Sequence, residues 1–396
     1  MNLFDSTSSS SSEDEDEVLF LRRPKIYNIK KNYLEIYDEL DFFQRFRITK
    51  DTFRTLFAKI ENLIRPATNR GGSIQPVIQV LLALGFYACG NMQKSCADFS
   101  GVSTSSACRI IRKVTEAIAT LRPHYINMYE TNAELNRSAE AMYQITRFPR
   151  VIGAIDCTLI KTQSPGGEEA EIYRTRKNCF GINVQTVSDR NLCIRDLVAR
   201  WPGSAHDQAI FNNSSLKRRF EDGRYGNFIL VGDSGYQLKP YLMTKLQNVH
   251  TPAENLYNES IIRTRNVVEL KPYLMTKLQN VKPYLMTKLQ NVHTPAENLY
   301  NESIIRTRNV VERQYGVWKR RFPLLQLGMR LKIETVLNII VATAILHNMA
   351  LEEKEDIAEE WLEEIEDEDL EIKLAAIDEN ALNARRLIIN EHFARL

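Results

Sequence analysis

Hydrophobic residues recur at helical spacing from about residue 41 to residue 120, and this pattern predicts a set of amphipathic helices. One predicted helix begins at residues 48–51 and places these apolar side chains on one face: Phe53, Leu56, Phe57 and Ile60. Another begins after Ser73 and is more continuously apolar, with Val77, Val80, Leu81, Leu84 and Tyr87. This part of the chain is therefore expected to be all-α.

A short helix, a glycine-containing turn and a longer helix are predicted in succession from Ser95. The turn contains Gly101, and Ser103 is a suitable N-cap for the longer helix. That helix has an apolar inner face made of Ala107, Ile110, Ile111, Val114 and Ile118. Its outer face carries Arg109, Arg112 and Lys113, which we assign as DNA-contacting residues. The order is typical of a helix-turn-helix, whose second helix enters a major groove, although a helical bundle with an incidental glycine turn explains the same pattern.

Beyond Pro149 the pattern changes to short runs of apolar and β-branched residues, which are typical of buried strands. The predicted strands cover residues 151–155, 182–187, 192–199 and 228–231. Helices are predicted at residues 205–220, 304–322 and 333–352. A β-meander followed by helices indicates an α/β fold, so we expect an RNase H-like mixed sheet flanked by helices, preceded by an all-α helix-turn-helix-like domain.

The chain divides into four parts by composition. Residues 1–20 are serine-rich and acidic and are expected to be disordered. Residues 21–125 form the helical, helix-turn-helix-like region, and residues 145–350 form the α/β domain. Residues 351–396 form an acidic helical tail, which either docks on a partner, folds back over the basic body or is simply solvated.

A stretch of the α/β domain is duplicated letter for letter. Residues 239–269 and 282–312 are identical at an offset of 43 positions, and residues 270–281 repeat residues 238–249. Packing preserves apolar character and does not require identical letters. We interpret the stretch as a recent tandem duplication or an error in reconstructing the sequence, because the alternative, a working repeat module, would not contain a copy that stops short.

Charge is distributed very unevenly along the chain. Residues 1–17 carry six acids and no base, and residues 351–380 carry fifteen acids and two lysines. Because the total is only +2 and the last sixteen residues add +2, residues 18–350 hold a net charge of +19. A basic body between acidic ends favours a polyanionic partner, usually nucleic acid, and the alternative is a mildly basic enzyme with solvated tails.

The six cysteines form no C-x-x-C pair, and we expect them to be buried in a reducing compartment. The first residues lack the basic and apolar regions of a secretory signal. We expect no apolar run to approach the roughly 18 residues that a membrane helix needs. We therefore expect an intracellular protein with no membrane partner.

Two acids follow predicted strands directly: Asp156 after the first, and Asp233 after residues 228–231. Acids at the ends of neighbouring strands can converge on one point, where they would repel each other unless a cation neutralised them. Hard oxygen ligands suit Mg²⁺ or Mn²⁺, and such ions can promote in-line attack on a phosphodiester. For either aspartate alone, a turn or cap role is the commoner explanation.

Four ordered blocks carry a resemblance to a known family. They are Val-Ile-Gly-Ala-Ile-Asp-Cys-Thr at 151–158, Trp-Pro-Gly-Ser-Ala-His-Asp at 201–207, Val-Gly-Asp-Ser-Gly-Tyr at 231–236 and Arg-Thr-Arg-Asn-Val-Val-Glu-Arg-Gln-Tyr-Gly-Val-Trp-Lys-Arg-Arg-Phe at 306–322. The chain resembles the PIF/Harbinger DDE transposases, in particular the Harbinger transposase-derived nucleases. A later helical block at 344–348 is also similar, and the resemblance runs from roughly residue 40 to residue 352.

The resemblance implies an RNase H-like core that cuts DNA with acids and a divalent metal, Mg²⁺ or Mn²⁺. By position it places the catalytic acids at Asp156, Asp233 and Glu312, with Asp207 as a further metal ligand and Glu269 as the alternative glutamate. His206 is the neighbour of Asp207, in a functional or a purely structural role. The family also implies a Myb-like DNA-binding partner and a location in the nucleus as well as the cytoplasm.

Spacing and context favour different glutamates. Glu269 lies 36 positions after Asp233, close to the family interval, whereas Glu312 lies 79 positions after it. However, Pro272 would end a helix just after Glu269, while Glu312 is followed by three aromatic residues on one helical face. The longer loop costs only about 0.7 kcal/mol more to close, and burial of three aromatics is worth several kcal/mol. We therefore choose Glu312.

Further basic residues near these blocks suggest a phosphate-facing surface, although charged helix faces are usually just solvated. The set is Lys217, Arg218, Arg219, Arg306, Arg308, Arg313, Lys319, Arg320 and Arg321. Residues 22–25 and 319–321 could serve nuclear import.

The leading functional hypothesis is a transposase-derived, metal-dependent DNA endonuclease. The alternative is a domesticated, non-cleaving DNA-binding or scaffold protein that retains the transposase fold. An enzyme acting on RNA·DNA hybrids is a third hypothesis.

Overall fold

The computed structural model describes residues 31–67, 73–90, 92–146, 149–232, 235–237, 239–244, 246, 249, 251–265 and 311–355. The N-terminal part is helical, as expected: α1 Tyr33–Ile36, α2 Glu39–Phe46, α3 Lys50–Ile64, α4 Pro76–Cys89, α5 Gln93–Phe99, α6 Thr104–Ala119, α7 Arg122–Tyr125 and α8 Asn132–Thr146. The strands are β1 Val151–Lys161, β2 Gly181–Ser188, β3 Ile194–Pro202, β4 Ile229–Val231 and β5 Leu242–Met243. The helices that follow β3 are α9 Asp207–Asn212, α10 Ser215–Glu221, α11 Pro252–Arg265, α12 Val311–Arg321, α13 Leu324–Leu327 and α14 Ile333–Glu352.

The strands form one mixed sheet in the order β3-β2-β1-β4-β5 within the described residues. The first three strands pair antiparallel, and β4 and β5 are parallel to β1. Helices cover both faces, so the predicted α/β class is confirmed. A long antiparallel meander with two parallel strands added beside β1 is the RNase H-like arrangement.

The helix-turn-helix-like segment has the predicted local structure. Ser103 caps α6, and its hydroxyl accepts the backbone N–H of Ser106 at 3.2 Å. The turn bends at Gly101, whose φ of 66° lies in the left-handed region that glycine adopts without strain. The five apolar residues predicted for the inner face of α6 are all buried.

Two predictions about helices need correction or addition. The single helix expected at 205–220 is two helices, because Ser214 takes an extended conformation and caps α10 by accepting from Lys217 N at 3.1 Å. The helix α8 was not predicted, although Thr131 and Glu134 form a reciprocal cap. Thr131 Oγ1 accepts from Glu134 N at 3.2 Å, and Glu134 Oε2 accepts from Thr131 N at 3.0 Å.

The helix α14 is long and apolar enough to cross a membrane by length and composition alone, so the expectation of no such run is wrong. It is two-thirds buried inside the fold and packs on α6 and β3. Its apolar character therefore follows from its position in the core.

The two faces of the sheet have separate apolar layers. Ile182 and Val184 of β2 belong to a large cluster with α6, α12 and α14, and this cluster extends into the N-terminal helices. Ile155 and Val187 belong to a second cluster with α8, α9 and α10. Because side chains alternate along a strand, each position in β1 and β2 can be assigned to one face. The predicted division into a helical region and an α/β domain, between residues 125 and 145, stays a prediction. The first cluster contains residues from both sides of that division.

Candidate active site

Asp156 lies in the middle of β1, directly opposite Thr186 of β2. The Thr186 hydroxyl lies 2.9 Å from the hydroxyl of Tyr315 on α12, and that tyrosine donates to the backbone carbonyl of Asp156 at 2.7 Å. Residues directly opposite each other in an antiparallel pair project from the same face of the sheet. The Asp156 side chain therefore leaves the sheet on the face covered by α12.

The other predicted catalytic acids lie partly or wholly outside the described residues. Asp233 and Glu269 lie outside them. Glu312 is in the first turn of α12, three positions before Tyr315, but its side chain is not described. Among the residues that are described, no group of three His, Cys, Asp or Glu side chains is close enough to hold a metal ion.

Asp207 begins α9 and contacts the opposite face of the sheet. Its Oδ1 accepts from Asn183 Nδ2 at 3.0 Å, and its backbone carbonyl accepts from Gln185 Nε2 at 3.4 Å. Asn183 and Gln185 alternate with Val184 and Thr186, which face α12. The structure therefore brings Asp156 towards α12 and attaches Asp207 to the side that carries α8 and α9.

A polar cluster of Cys157, Gln185 and Tyr236 lies beside Asp207 and was not found from the sequence. Cys157 Sγ lies 3.3 Å from the Tyr236 hydroxyl, and Gln185 Nε2 donates to that hydroxyl at 3.0 Å. Gln185 pairs directly with Cys157 across β1 and β2. Alternation within the strand after Asp156 was the only signal in the sequence that could have indicated it.

The two aspartates make the centre of the sheet electronegative. Burial raises the pKa of the Cys157 thiol well above its usual value, and the charges of Asp207 and Asp156 raise it further. Burial likewise raises the pKa of Tyr236 and of Tyr315, and the negative charges of Asp156 and Asp207 raise both pKa values further. The thiol therefore stays protonated and is not a thiolate ligand. A carboxylate such as that of Asp156 is a hard oxygen donor, the type that suits Mg²⁺ or Mn²⁺.

His206 precedes Asp207 and contacts a basic residue. Nη2 of Arg176 lies 3.3 Å from Nδ1 and 3.2 Å from Nε2 of the His206 ring. Both side chains are exposed. The interaction joins the loop before β2 to the Pro202–Asp207 segment.

The three predicted DNA-contacting residues of α6 are exposed but have protein partners. Arg112 Nε lies 3.0 Å from Glu116 Oε1, and Arg109 Nε donates to the Ser105 carbonyl at 3.3 Å. Lys113 Nζ donates to the Ile64 carbonyl at 2.9 Å, at the C-terminal end of α3. Their contact with DNA stays a prediction.

Several of the other basic residues do not form an exposed phosphate-facing surface. Lys217 pairs with Glu221 at 2.7 Å, and Arg219 pairs with Asp196 at 3.1 Å. Arg321 is buried against Glu355, and Arg313 and Lys319 are also buried. Residues 319–321 are therefore not an accessible import signal, and Arg306 and Arg308 lie outside the described residues.

Comparisons with known proteins bear directly on this site. Residues 155–348 match the family described as DDE superfamily endonuclease. The human protein named "Putative nuclease HARBI1" is 35% identical over 208 residues, which are 52% of this chain and 59% of that protein. These matches support a Harbinger transposase-derived family for the chain.

Other relatives are similar over about half of the chain. The Rattus norvegicus protein of the same name is 35% identical over 208 residues, again 52% of this chain and 59% of that protein. "Protein ALP1-like" of Arabidopsis thaliana is 25% identical over 233 residues, which are 54% of this chain and 57% of that protein. The chain thus spans less than two thirds of the length of these relatives. No solved structure gives a significant match.

The match to the DDE superfamily endonuclease family agrees with the observed mixed sheet. The matched region begins at Ile155, next to Asp156, and ends at Asn348 in α14. It therefore includes every carboxylate predicted from the sequence, and it excludes the helices α1 to α8.

Proposed function

We propose that this protein is a divalent-metal-dependent DNA endonuclease that hydrolyses phosphodiester bonds with Asp156, Asp233 and Glu312 as its catalytic carboxylates. The observation that carries the proposal is the hydrogen bond from Tyr315 to the Asp156 carbonyl. It anchors α12 on the face of the sheet from which Asp156 projects. Position 312 lies about one helical turn before Tyr315, so the anchored helix brings a glutamate position to the same face.

The register of β1 and β4 supports the assignment of Asp233. The strands are parallel, and Ala154 pairs with Val231. Asp156 follows Ala154 by two positions, and Asp233 follows Val231 by two positions. Equivalent positions in parallel neighbours project to the same face, so a continued register would set the two carboxylates side by side.

The choice of Glu312 over Glu269 is supported by the packing of α12. Tyr315, Trp318 and Phe322 are all buried in the large apolar cluster. Burial of three aromatic side chains is worth several kcal/mol and holds the helix that begins at Val311. Glu269 is not followed by a series of aromatic residues at helical spacing. Leu270-Lys271-Pro272 follows it, and a proline at that position would end a helix.

The chain's own residues would hold and surround the metal. Asp156, Asp233 and Glu312 would be the ligands, and a bound Mg²⁺ or Mn²⁺ would activate a water and stabilise the leaving oxygen. Asp207 contacts the other face of the sheet, so we propose that it adds negative potential from there. Cys157, whose thiol stays protonated, would not compete with the carboxylates for the metal.

Cleavage of plasmid DNA by the purified protein in Mn²⁺ tests the proposal. We expect Asp156→Asn and Glu312→Gln each to lower the cleavage rate at least 100-fold, because each removes a charged ligand. Glu269→Gln and the exposed Asp222→Asn are matched controls that should retain the wild-type rate. Undiminished cleavage by Asp156→Asn, with a wild-type melting temperature, would refute the assignment.

One observation favours a second function, a domesticated DNA-binding or scaffold protein that no longer cleaves. The duplicated stretch separates Asp233 from Glu312 by 79 positions, more than twice the interval to Glu269. Titration calorimetry with Mn²⁺ distinguishes the two functions, since a scaffold needs no divalent ion. Heat of binding that disappears in Asp156→Asn would support the nuclease.

We also propose a nuclear location, as well as a cytoplasmic one, and a Myb-like DNA-binding partner. Both follow from the family resemblance and from the basic body of the chain. With residues 319–321 largely buried, residues 22–25 are the remaining candidate import signal, and they lie outside the described residues. Imaging of a tagged protein with these basic residues replaced by alanine would test this role.

A further inference from the structure

A tight hairpin precedes β2 and exposes two basic residues at its tip. Arg174 and Phe180 form an antiparallel bridge, Thr175 N donates to the Cys179 carbonyl at 2.8 Å, and Asn178 N donates to the Thr175 carbonyl at 3.0 Å. These bonds leave Arg176 and Lys177 at the centre of the turn, both exposed. We call residues 174–180 the basic hairpin.

Internal contacts hold the turn of the basic hairpin. Asn178 has a φ of 57°, a left-handed conformation that asparagine tolerates better than most residues. The Thr175 side chain is buried, and its hydroxyl lies 3.1 Å from Cys179 Sγ. A short loop with these internal bonds presents its central side chains without a large ordering cost on binding.

The loop that carries Asp207 is hydrogen-bonded to residues flanking both ends of the basic hairpin. Gly203 N donates to the Gly181 carbonyl at 2.8 Å, and Ser204 N donates to the Ile172 carbonyl at 3.3 Å. A Cβ at position 203 would lie 2.7 Å from Thr175 Cγ2 and 2.9 Å from the Gly181 oxygen, so only glycine permits this approach. The position of the hairpin is therefore set relative to the loop that carries Asp207.

The two arginines of the basic hairpin differ in their partners. Arg174 is neutralised by Glu171, which accepts from Nε at 2.6 Å and from Nη2 at 2.9 Å, and its guanidinium stacks over Phe180. Arg176 instead contacts the ring of His206. An imidazole orients the guanidinium without cancelling its charge. The positive charge of Arg176 is thus held in place and is not neutralised by His206.

We infer that the basic hairpin binds the phosphate backbone of duplex DNA beside the cleavage site, through Arg176 and Lys177, with His206 positioning Arg176. The hairpin lies next to the C-terminal end of β1, where Thr162 N donates to the Phe180 carbonyl at 2.9 Å. It is therefore located past the end of the strand that contains Asp156. This inference rests on the proposed function, because DNA is its ligand.

Fluorescence anisotropy with a labelled 30-base-pair duplex, without divalent metal and over a salt series, tests the inference. Each lost phosphate contact lowers the slope of log K against log salt by about 0.9. We expect Arg176→Gln to lower the slope by about that amount and to weaken binding several-fold at low salt. The double variant Arg176→Gln/Lys177→Gln should lose about twice as much slope.

Arg224→Gln is the matched control. Arg224 is exposed and precedes β4, whose first residue pairs with Val151 at the opposite end of β1. It should bind DNA with the wild-type affinity and slope. Thermal unfolding of every variant would show that the fold is intact.

Two outcomes would overturn the inference in distinguishable ways. If the wild type cleaves DNA but the double variant binds with unchanged affinity and slope, the hairpin role is wrong and the proposed function stands. If the wild type neither binds nor cleaves DNA, the proposed function and the hairpin role fail together.

Discussion

His347 and Asn348 connect α14 to the first residues of β3 through buried side-chain hydrogen bonds. Asn348 Oδ1 accepts from Ile194 N at 2.9 Å, and its Nδ2 donates to the carbonyls of Ile194 and Tyr125, each at 2.8 Å. His347 Nε2 donates to the Leu192 carbonyl at 3.0 Å. These bonds satisfy backbone groups that would otherwise be buried without partners. These two residues belong to the block at 344–348 that is similar to the Harbinger transposases. Their observed contacts are with backbone groups of the fold.

The protonation of His347 makes the stability of the fold sensitive to acid. Burial, and then the charge of Arg321, lower the pKa of His347 from 6.5 to about 3. Since the unfolded chain binds this proton first, the free energy of unfolding is constant above about pH 6.5 and falls as the pH decreases towards 3. Between pH 7.5 and pH 5.0 we expect a loss of about 2 kcal/mol from this group.

Urea denaturation at the two pH values measures this effect. In His347→Gln the loss between pH 7.5 and pH 5.0 should be about 2 kcal/mol smaller than in the wild type. His124→Gln, which removes an exposed histidine, is the matched control and should keep the wild-type pH dependence. An unchanged pH dependence in His347→Gln would show that another group titrates.

At the scale of elements, the two identical copies contribute to different parts of the described fold. The first copy forms β5 and α11, where Tyr257 and Ile261 are buried and the Tyr257 hydroxyl donates to the Thr244 carbonyl at 3.2 Å. The second copy supplies Val311 and Glu312, which begin α12. The local pattern of identical letters alone could not decide which copy supplies which element.

Deletion of residues 266–308 would restore a single copy and join Arg265 to Asn309 in the repeated sequence. Every described residue is retained, and the interval from Asp233 to the chosen glutamate falls from 79 to 36 positions. We expect the deletion to stabilise the protein by about 0.7 kcal/mol through a smaller loop-closure entropy, and to raise the rate of DNA cleavage.

The free energy of unfolding and the cleavage rate are both measured against the full-length chain. Failure of the deletion variant to fold would show that the second copy contributes packing that the first cannot replace. An internal deletion of a few residues within 270–281 is a suitable control for shortening alone.

At the scale of the whole molecule, a buried ion pair joins the N-terminal helices to the α/β part. Arg321 at the end of α12 pairs with Glu355 just after α14, and both side chains are almost fully buried. Arg321 also donates to the Arg47 carbonyl at 3.2 Å, and Glu355 accepts from Thr49 N at 2.7 Å. The pair thus connects the end of α2 and the start of α3 with two helices of the α/β part.

Removal of one member of this pair leaves a buried charge without its partner. We expect Glu355→Gln to lower the free energy of unfolding by about 3 kcal/mol, within the range for broken buried pairs. The double variant Arg321→Met/Glu355→Gln should recover part of that loss, because the uncompensated charge is gone. Arg54→Gln, which breaks the exposed pair with Asp51, should cost under about 1 kcal/mol.

Chemical denaturation monitored by tryptophan fluorescence reports these differences, since Trp318 is buried near the same helix end. Equal stability of Glu355→Gln and the wild type would contradict the role assigned to the pair.

Much of the secondary structure could be predicted because it depends on residues close together in the chain. The predicted helix at 333–352 has the observed bounds, and the cap at Ser103 was also correct. The strand predicted at 151–155 begins where the observed strand begins but continues through Asp156 to Lys161, so Asp156 does not lie at a strand end. The break at Ser214 was missed because the apolar pattern continues through it, and only the cap shows that the chain turns there.

The sequence by itself determined the order of elements and the places of the candidate acids along the chain, since periodicity, caps and blocks are local or linear properties. Only the tertiary structure decided that Asp156 faces α12 whereas Asp207 contacts the other side of the sheet. It also decided that Arg321 is buried and that Arg176 contacts His206. The reason is physical: the face of a sheet and the partner of a charge depend on contacts between residues far apart in the chain.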